Sequence, residues 1–286
     1  MDGPLTRRGF LAAVAGGLCT PAIGASAQTP FRFGLTPVFL DNDAIVIEEM
    51  RTTLRMAMRR PIELLQRRTY EEVTGLLLSG SIDAAWLCGY PFLQHRETLS
   101  LVAVPIWRDK PLYRSYLIAA PGDRARELAE LEGGIHAFSD PNSNSGWLVT
   151  TSNLARINRT PDDFFDRTIF TYGHRNVVRA VASGLARSGS VDGYVWDVLA
   201  EVEPELAGRT RVVARSEWLG FPPIVSRADR IDDAANRSFM RTLYGLDGTD
   251  PGRAMLRILH LDGFAPAELA LFDGIAARMR EVSVTP

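Results

Sequence analysis

Apolar and polar positions along this chain follow two rhythms, a short run and a helical stripe, that take turns. Phe31–Leu35 is a short apolar run ending at Thr36-Pro37, the pattern of a buried strand. Ile47, Met50, Leu54 and Met58 recur at helical spacing, so residues 43–58 read as an amphipathic helix stopped by Pro61. Residues 62–66 are the next strand. Thr69-Tyr70-Glu71-Glu72 is a capping box, in which a threonine side chain and a glutamate three positions on satisfy each other's exposed amides. It opens a helix that ends near Gly80. Strands are expected at 82–88, 101–107 and 114–120, and then the rhythm restarts. A helix around 127–131 leads to a strand at 135–138, a helix from about 143 to 157, a strand at 168–172, a helix at 174–185 and a strand at 191–195. Two more strands, 211–214 and 223–226, precede three C-terminal helices at 232–245, 251–261 and 266–282. Alternation of this kind makes α/β units around largely parallel sheets. Residues 116–212 repeat the programme of the first segment, and the last helices need the first sheet to cover. The expected architecture is therefore two α/β lobes, 28–115 plus 213–286 and 116–212, crossed twice by the chain and enclosing a cleft.

Residues 1–27 depart from this pattern. Thr6-Arg7-Arg8-Gly9-Phe10-Leu11 is a twin-arginine motif, and the apolar stretch 11–23 is too short and too rich in Gly and Ala to span a bilayer. Ala25-Ser26-Ala27 supplies a cleavage signature, so 1–27 is expected to be a twin-arginine signal peptide, with Gln28 as the mature N-terminus and a periplasmic destination. Removal of Cys19 leaves Cys88 alone, which excludes an intramolecular disulfide. The chain has 286 residues, 46% hydrophobic and 23% charged, as an ordinary globular protein has. Its formal net charge of −2 offers no attraction to nucleic acid or an anionic membrane, and Lys110 is its single lysine. Any bound anion has to be held by local geometry.

Four junctions carry candidate chemistry. In Phe138-Ser139-Asp140-Pro141-Asn142-Ser143-Asn144-Ser145-Gly146-Trp147 a strand ends, a turn of small polar residues follows and a helix opens. First-turn amides have no partner within their helix and sit at the positive end of its dipole, so Ser143, Asn144 and Ser145 can hold a phosphate-like anion without lysine. Serine and asparagine are also favoured caps with nothing bound. Tyr172-Gly173-His174-Arg175-Asn176 is a second strand-to-helix junction, where His174 can donate and Arg175 can add charge; a lone histidine there is more often a capping or surface residue. Asp83-Ala84-Ala85-Trp86-Leu87-Cys88-Gly89-Tyr90 runs a buried strand out to a sheet edge, placing Cys88 and Tyr90 where open α/β sheets bind ligands. Inert burial is the commoner fate of a cysteine. In Val191-Asp192-Gly193-Tyr194-Val195-Trp196-Asp197, Trp196 or Asp197 can face the cleft, though Asp197 can equally cap a helix.

In their order along the chain these pieces resemble the PhnD-type phosphate, phosphite and phosphonate binding proteins, within the type 2 periplasmic binding fold. The resemblance covers about residues 30–280. Ser143-Asn144-Ser145-Gly146 looks like the family's Ser-x-Ser-Gly anion loop, followed by His174, Ala180-Val181-Ala182-Ser183-Gly184 and Val191-Asp192-Gly193. The resemblance implies two α/β lobes joined by a two-strand hinge and an oxyanion held by Ser143, Asn144, Ser145 and His174. It also implies Tyr90 on the opposite lobe and a carboxylate near Trp196 or Asp197. The sequence departs from the family with Asn144 where threonine is common, and without a tyrosine in Thr36-Pro37-Val38-Phe39-Leu40.

The function expected from this is the substrate-capture subunit of an ABC importer, monomeric, with no cofactor and an oxyanion ligand delivered to a permease. The alternative is a sensory protein that presents its ligand to a sensor histidine kinase, with arsenite bound through Cys88, since soft thiolate chemistry suits trivalent arsenic. Catalysis is not expected. There is no nucleophile elbow, no Walker loop and no zinc spacing among His95, His136, His174 and His260.

Overall fold

The computed structural model describes Met1, residues 28–37 and residues 44–284; the signal-peptide motifs and Val38-Phe39-Leu40 lie outside the described residues. The chain begins with β1 (Phe31–Leu35), α1 (Ala44–Met58), β2 (Ile62–Gln66), α2 (Tyr70–Leu78), β3 (Ala84–Trp86), α3 (Gly89–Gln94) and β4 (Leu99–Ile106). It crosses through β5 (Leu112–Tyr113) into β6 (Ser115–Ala119), β7 (Ile135–Phe138), α4 (Val149–Ala155), α5 (Pro161–Phe164), β8 (Arg167–Phe170), α6 (His174–Ala182), β9 (Ser188–Asp192), α7 (Gly193–Val202), α8 (Pro204–Ala207) and β10 (Arg211–Arg215). It returns through β11 (Leu219–Gly220) to β12 (Ile224–Arg227), α9 (Ala234–Tyr244), α10 (Asp250–Ile258), β13 (Gly263–Ala265) and α11 (Asp273–Val284).

Two sheets organise two α/β lobes, in the orders β13-β4-β12-β3-β1-β2 and β10-β6-β9-β7-β8. Both are mixed, where the sequence suggested largely parallel sheets. β1 runs parallel between β2 and β3, but β12 is antiparallel to β3 and β4, and β6 is antiparallel to β9 and β10. The reversed strands include those that enter or leave a lobe, because a chain that must come back cannot keep one direction. In the first lobe Phe239 of α9 packs its ring 4.7 Å from Phe31 and 5.0 Å from Phe33, which seats the C-terminal helices on the first sheet. Where the chain crosses, β5 and β11 pair antiparallel, with Tyr113 opposite Leu219. The Ser216 amide donates to Ser115 O at 2.9 Å, and the Ser115 amide to Ser216 Oγ at 2.9 Å. The two crossing segments are thus tied side by side.

Several expected elements are changed by local hydrogen bonding. β3 shrinks to three residues, because the Asp83 carboxylate turns back to accept the Arg32 amide at 2.8 Å and Cys88 becomes the residue before α3. The helix expected from 143 begins as a π turn over Asn144–Leu148 and only then becomes α4. Residues 128–131 form one 3-10 turn rather than a helix. The strand expected at 191–195 is corrected: β9 stops at Asp192, whose side chain accepts the amides of Tyr194 and Val195 and starts α7. That cap outweighs the strand preference of Tyr-Val-Trp. Among the described residues no helix is long and apolar enough to cross a membrane.

Candidate ligand site at the seam between the lobes

The second lobe contributes a tight polar loop. β7 ends at Phe138, Asp140 accepts the Asn142 amide at 2.8 Å, and Ser143 Oγ accepts the Gly146 amide at 3.0 Å. Gly146 is required here. A Cβ on it would lie 1.8 Å from Ser139 Oγ and 3.0 Å from His174 Cε1, so only a residue without a side chain lets strand end, loop and α6 come together. Ser139, Ser143, Asn144 and Ser145 are all buried, a rare condition for small polar residues unless something satisfies them. Among the described residues, Ser139 Oγ and Asn144 Oδ1 are buried with no hydrogen-bond partner.

The first lobe meets this loop with the openings of α2 and α3. The Tyr70 amide donates to Asp140 Oδ2 at 3.1 Å, and the Tyr70 hydroxyl lies 3.2 Å from His174 Nε2. Cys88 Sγ accepts the Asn144 amide at 3.2 Å, and Asn144 Nδ2 donates to the Tyr113 hydroxyl at 2.7 Å. Tyr90 stacks on Trp147 with ring centroids 6.1 Å apart. The structure thus brings together six of the predicted residues: Ser143, Asn144, Ser145, His174, Cys88 and Tyr90. Trp196 and Asp197 are not with them. The helix α7 that replaces the expected strand turns the Trp196 indole N–H to Thr210 Oγ1 at 3.0 Å, and sends Asp197 into an ion pair with Arg108 at 2.9 Å. Arg175 is paired with Glu203 at 2.6 Å. The expectation of unpaired amides is corrected too: Asn144 N–H is taken by the Cys88 sulfur and Gly146 N–H by Ser143 Oγ. Tyr70, Tyr113, Ser139 and Asp140 were not singled out as site residues from the sequence. Tyr70 carried the nearest signal, as the residue inside the Thr69 capping box.

The donors that cross the seam are neutral groups. His174 Nδ1 accepts the Asp192 amide at 3.0 Å, which leaves its proton on Nε2 as a donor aimed at Tyr70. Burial pulls the imidazole down to about 3, so it carries no charge near neutrality. Burial raises the hydroxyls of Tyr70 and Tyr113 well above their usual range. Burial likewise pushes the Cys88 thiol up to about 11, against the pull of the Tyr90 and Asn144 amides. Asp140 is raised by burial.

Asp192 is the most perturbed carboxyl at this seam, raised by burial to about 8 although two amides at the start of α7 pull it down. A carboxyl whose folded value exceeds its unfolded 3.8 contributes stability below about pH 4 that is lost as pH rises through about 8. Asp192→Asn keeps an oxygen acceptor for the Tyr194 and Val195 amides but cannot ionise. The variant's melting temperature is therefore expected to gain on the parent steadily from pH 4 to pH 8 and then hold its lead, as read by thermal denaturation across that range.

Two mixed α/β lobes, a double crossing and a buried polar loop at their seam define a type 2 periplasmic binding protein. Residues 33–272 match the family described as "ABC transporter, phosphonate, periplasmic substrate-binding protein". The chain belongs to that family: it is the periplasmic substrate-binding component of an ABC transporter and not an enzyme. Solved structures agree on the fold. A binding-protein component of an ABC phosphonate transporter from Pseudomonas aeruginosa aligns at TM-score 0.83 with 18% identity, over 91% of this chain and 89% of its own. The Prochlorococcus marinus protein PhnD1, solved with methylphosphonate, aligns at TM-score 0.79 with 15% identity, over 88% of this chain and 98% of its own. A histidine kinase sensor domain similar to periplasmic binding proteins aligns at TM-score 0.58 with 16% identity, over 84% of this chain and 99% of its own.

Proposed function

We propose that this chain captures a small phosphonate-like oxyanion, such as a phosphonate, phosphate or phosphite, between lobes 28–115 plus 213–286 and 116–212. The ligand residues are Ser143, Asn144, Ser145 and His174 from the second lobe, with Cys88 and Tyr90 facing them. Two donors carry the reading: the Asn144 main-chain N–H and the His174 Nε2–H both point across the seam, and both are held only by weak neutral acceptors, a thiol sulfur and a phenol oxygen. An oxyanion exchanges each of these for a charge-assisted bond, roughly twice as strong. Shielding from water in the closed cleft strengthens the exchange further. The tied β5–β11 crossing is the hinge about which the lobes part, and Ser139 Oγ is a further donor. Export by the twin-arginine route and a monomeric state complete the reading, with an ABC permease as the partner that receives the ligand.

The sensory reading draws on the fold shared with a histidine kinase sensor domain. Its chemical part, arsenite on Cys88, is opposed by the thiol's burial: a group that titrates at about 11 supplies almost no thiolate near pH 7. Oxyanion import is the stronger of the two.

A thermal-shift screen of the mature protein tests the proposal. Methylphosphonate, phosphate or phosphite at about 100 times its dissociation constant adds about 2.7 kcal/mol of stability. His174→Ala is expected to weaken binding about tenfold to a hundredfold, while His174→Gln, which restores an N–H donor, recovers most of it. Because His174 stays neutral far above its value of about 3, protonation of this residue leaves affinity unchanged between about pH 5 and pH 8. Absence of a shift with every oxyanion, or full binding by His174→Ala, overturns the proposal.

A further inference from the structure

A cavity of about 680 Å3 opens on the seam, lined by residues that flank Tyr70 and His174 in the sequence. One wall is the β2–α2 junction of the first lobe, with Arg67, Arg68 and Glu72; the other is the β8–α6 junction of the second, with Thr171, Tyr172 and Asn176. Tyr70 and His174 open the helices of the same two junctions, so the chamber stands beside the contact they make.

The chamber differs from the inner site in charge. Its one lining carboxylate, Glu72, is already committed to the capping box, accepting from the Thr69 amide at 3.0 Å. Among the described residues neither Arg67 nor Arg68 has a carboxylate partner; Arg67 donates to a main-chain oxygen, Gln66 O, at 2.7 Å. Arg68 reaches across the seam to lie 5.0 Å over the Tyr172 ring. Tyr172 holds a left-handed backbone with φ of 52°, a conformation costing about 1–3 kcal/mol for a residue with a side chain, and it presents its ring to that guanidinium. Cations that lack a carboxylate partner among the described residues, beside a site of neutral donors, suit the far end of a longer anionic ligand.

We propose that this chamber is a substituent subsite. Building on the oxyanion reading above, it assigns to the chain phosphonates that carry a carboxylate at their other end. The phosphonate occupies the inner loop, and the carboxylate sits against Arg67 and Arg68. Their forked donors match a carboxylate's two oxygens, and the Tyr172 face holds Arg68 in place.

Titration calorimetry on the mature protein with methylphosphonate, 2-aminoethylphosphonate, phosphonoacetate and 3-phosphonopropionate tests this. At least one of the two carboxylated ligands is expected to bind about tenfold or more tighter than methylphosphonate, with 2-aminoethylphosphonate weaker than either. The Arg67→Ala/Arg68→Ala double variant is expected to erase that preference while methylphosphonate binds as before. Equal affinity for carboxylated and methyl ligands overturns the subsite. So does an equal loss for all four ligands in the variant, which makes the Arg68–Tyr172 contact a closure clasp instead. Failure of all four to bind the parent protein sinks the phosphonate reading itself, and the subsite with it.

Discussion

Gly146→Ala is expected to abolish the ligand-induced thermal shift and to lower affinity at least a hundredfold, about 2.7 kcal/mol. The added methyl group is placed 1.8 Å from Ser139 Oγ and 2.7 Å from Ser139 Cβ, far inside any tolerable contact. Ser139 has little room to withdraw. It is fully buried, and its amide donates to Gly146 O at 3.2 Å, so residue and obstruction are tied together. The loop has to move instead, which strains the Ser143 Oγ bond to the Gly146 amide and shifts the Asn144 amide proposed above as a ligand donor. Overpacking of this kind costs about 1–3 kcal/mol of stability, which leaves the protein folded and the loss of binding separately visible. Gly75→Ala, in the middle of α2, is the fitting comparison. Its Cβ meets nothing within 4 Å, so the substitution is expected to stabilise by about 0.5–1 kcal/mol and leave binding intact. Should Gly146→Ala bind within threefold of the parent, the loop is not the seat of the ligand.

The largest stability effect is expected at Arg278, where Arg278→Ala costs roughly 2–4 kcal/mol in urea denaturation. The α11 guanidinium is almost wholly enclosed, with 2% of its side chain exposed, and makes bonds of 2.9 and 2.6 Å to the two oxygens of Glu217. It also donates to Ser152 Oγ at 2.5 Å and Asn153 Oδ1 at 3.0 Å on α4, joining the last helix of the first lobe to the helix that continues the anion loop. Removing it strands those acceptors and opens a gap along its aliphatic stem. Glu217 is 52% exposed and regains water, which keeps the loss below that of breaking a fully buried pair. Arg278→Lys recovers little, since an ammonium cannot make the forked contact. The nearby Arg156–Glu281 pair is half exposed, and its removal is expected to change stability by less than about 1 kcal/mol. A cost under 1 kcal/mol for Arg278→Ala shows that the α11–α4 junction does not hold the lobes together.

Much of this architecture was legible because local chemistry and tertiary structure agree. Phe31–Leu35, Ile62–Gln66 and Ile135–Phe138 are strands with the expected limits, bounded by Pro, Gly or Ser on the sequence. The Thr69 capping box formed as read, with both of its bonds present. Reading failed where one side chain decided between two structures. Asp192 converts an apolar Tyr-Val-Trp run from strand to helix through two amide bonds, and that rotation commits Trp196 to Thr210 and Asp197 to Arg108 rather than to the polar loop. Within the site, the small polar loop and His174 announced themselves at strand-to-helix junctions. Tyr70 and Tyr113 did not, because their meaning lies in partners on the other lobe. Tyr70 meets His174 across 104 positions, and no local pattern encodes that pairing. Cys88 belongs to the seam as expected, but as an acceptor for a main-chain amide rather than a reactive thiolate.

The bonds from Tyr70 to His174, from Asn144 to Cys88 and from Asn144 to Tyr113 all run between the same two surfaces that a guest must separate. On the oxyanion reading proposed above, the Cys88 sulfur and the Tyr70 and Tyr113 hydroxyls are acceptors that the ligand has to replace. On that reading, any dissociation constant contains the fraction of molecules in which the lobes are already closed by these and the other contacts across the seam. If that self-closed form makes up about nine-tenths of the population, the apparent affinity falls about tenfold below the intrinsic one.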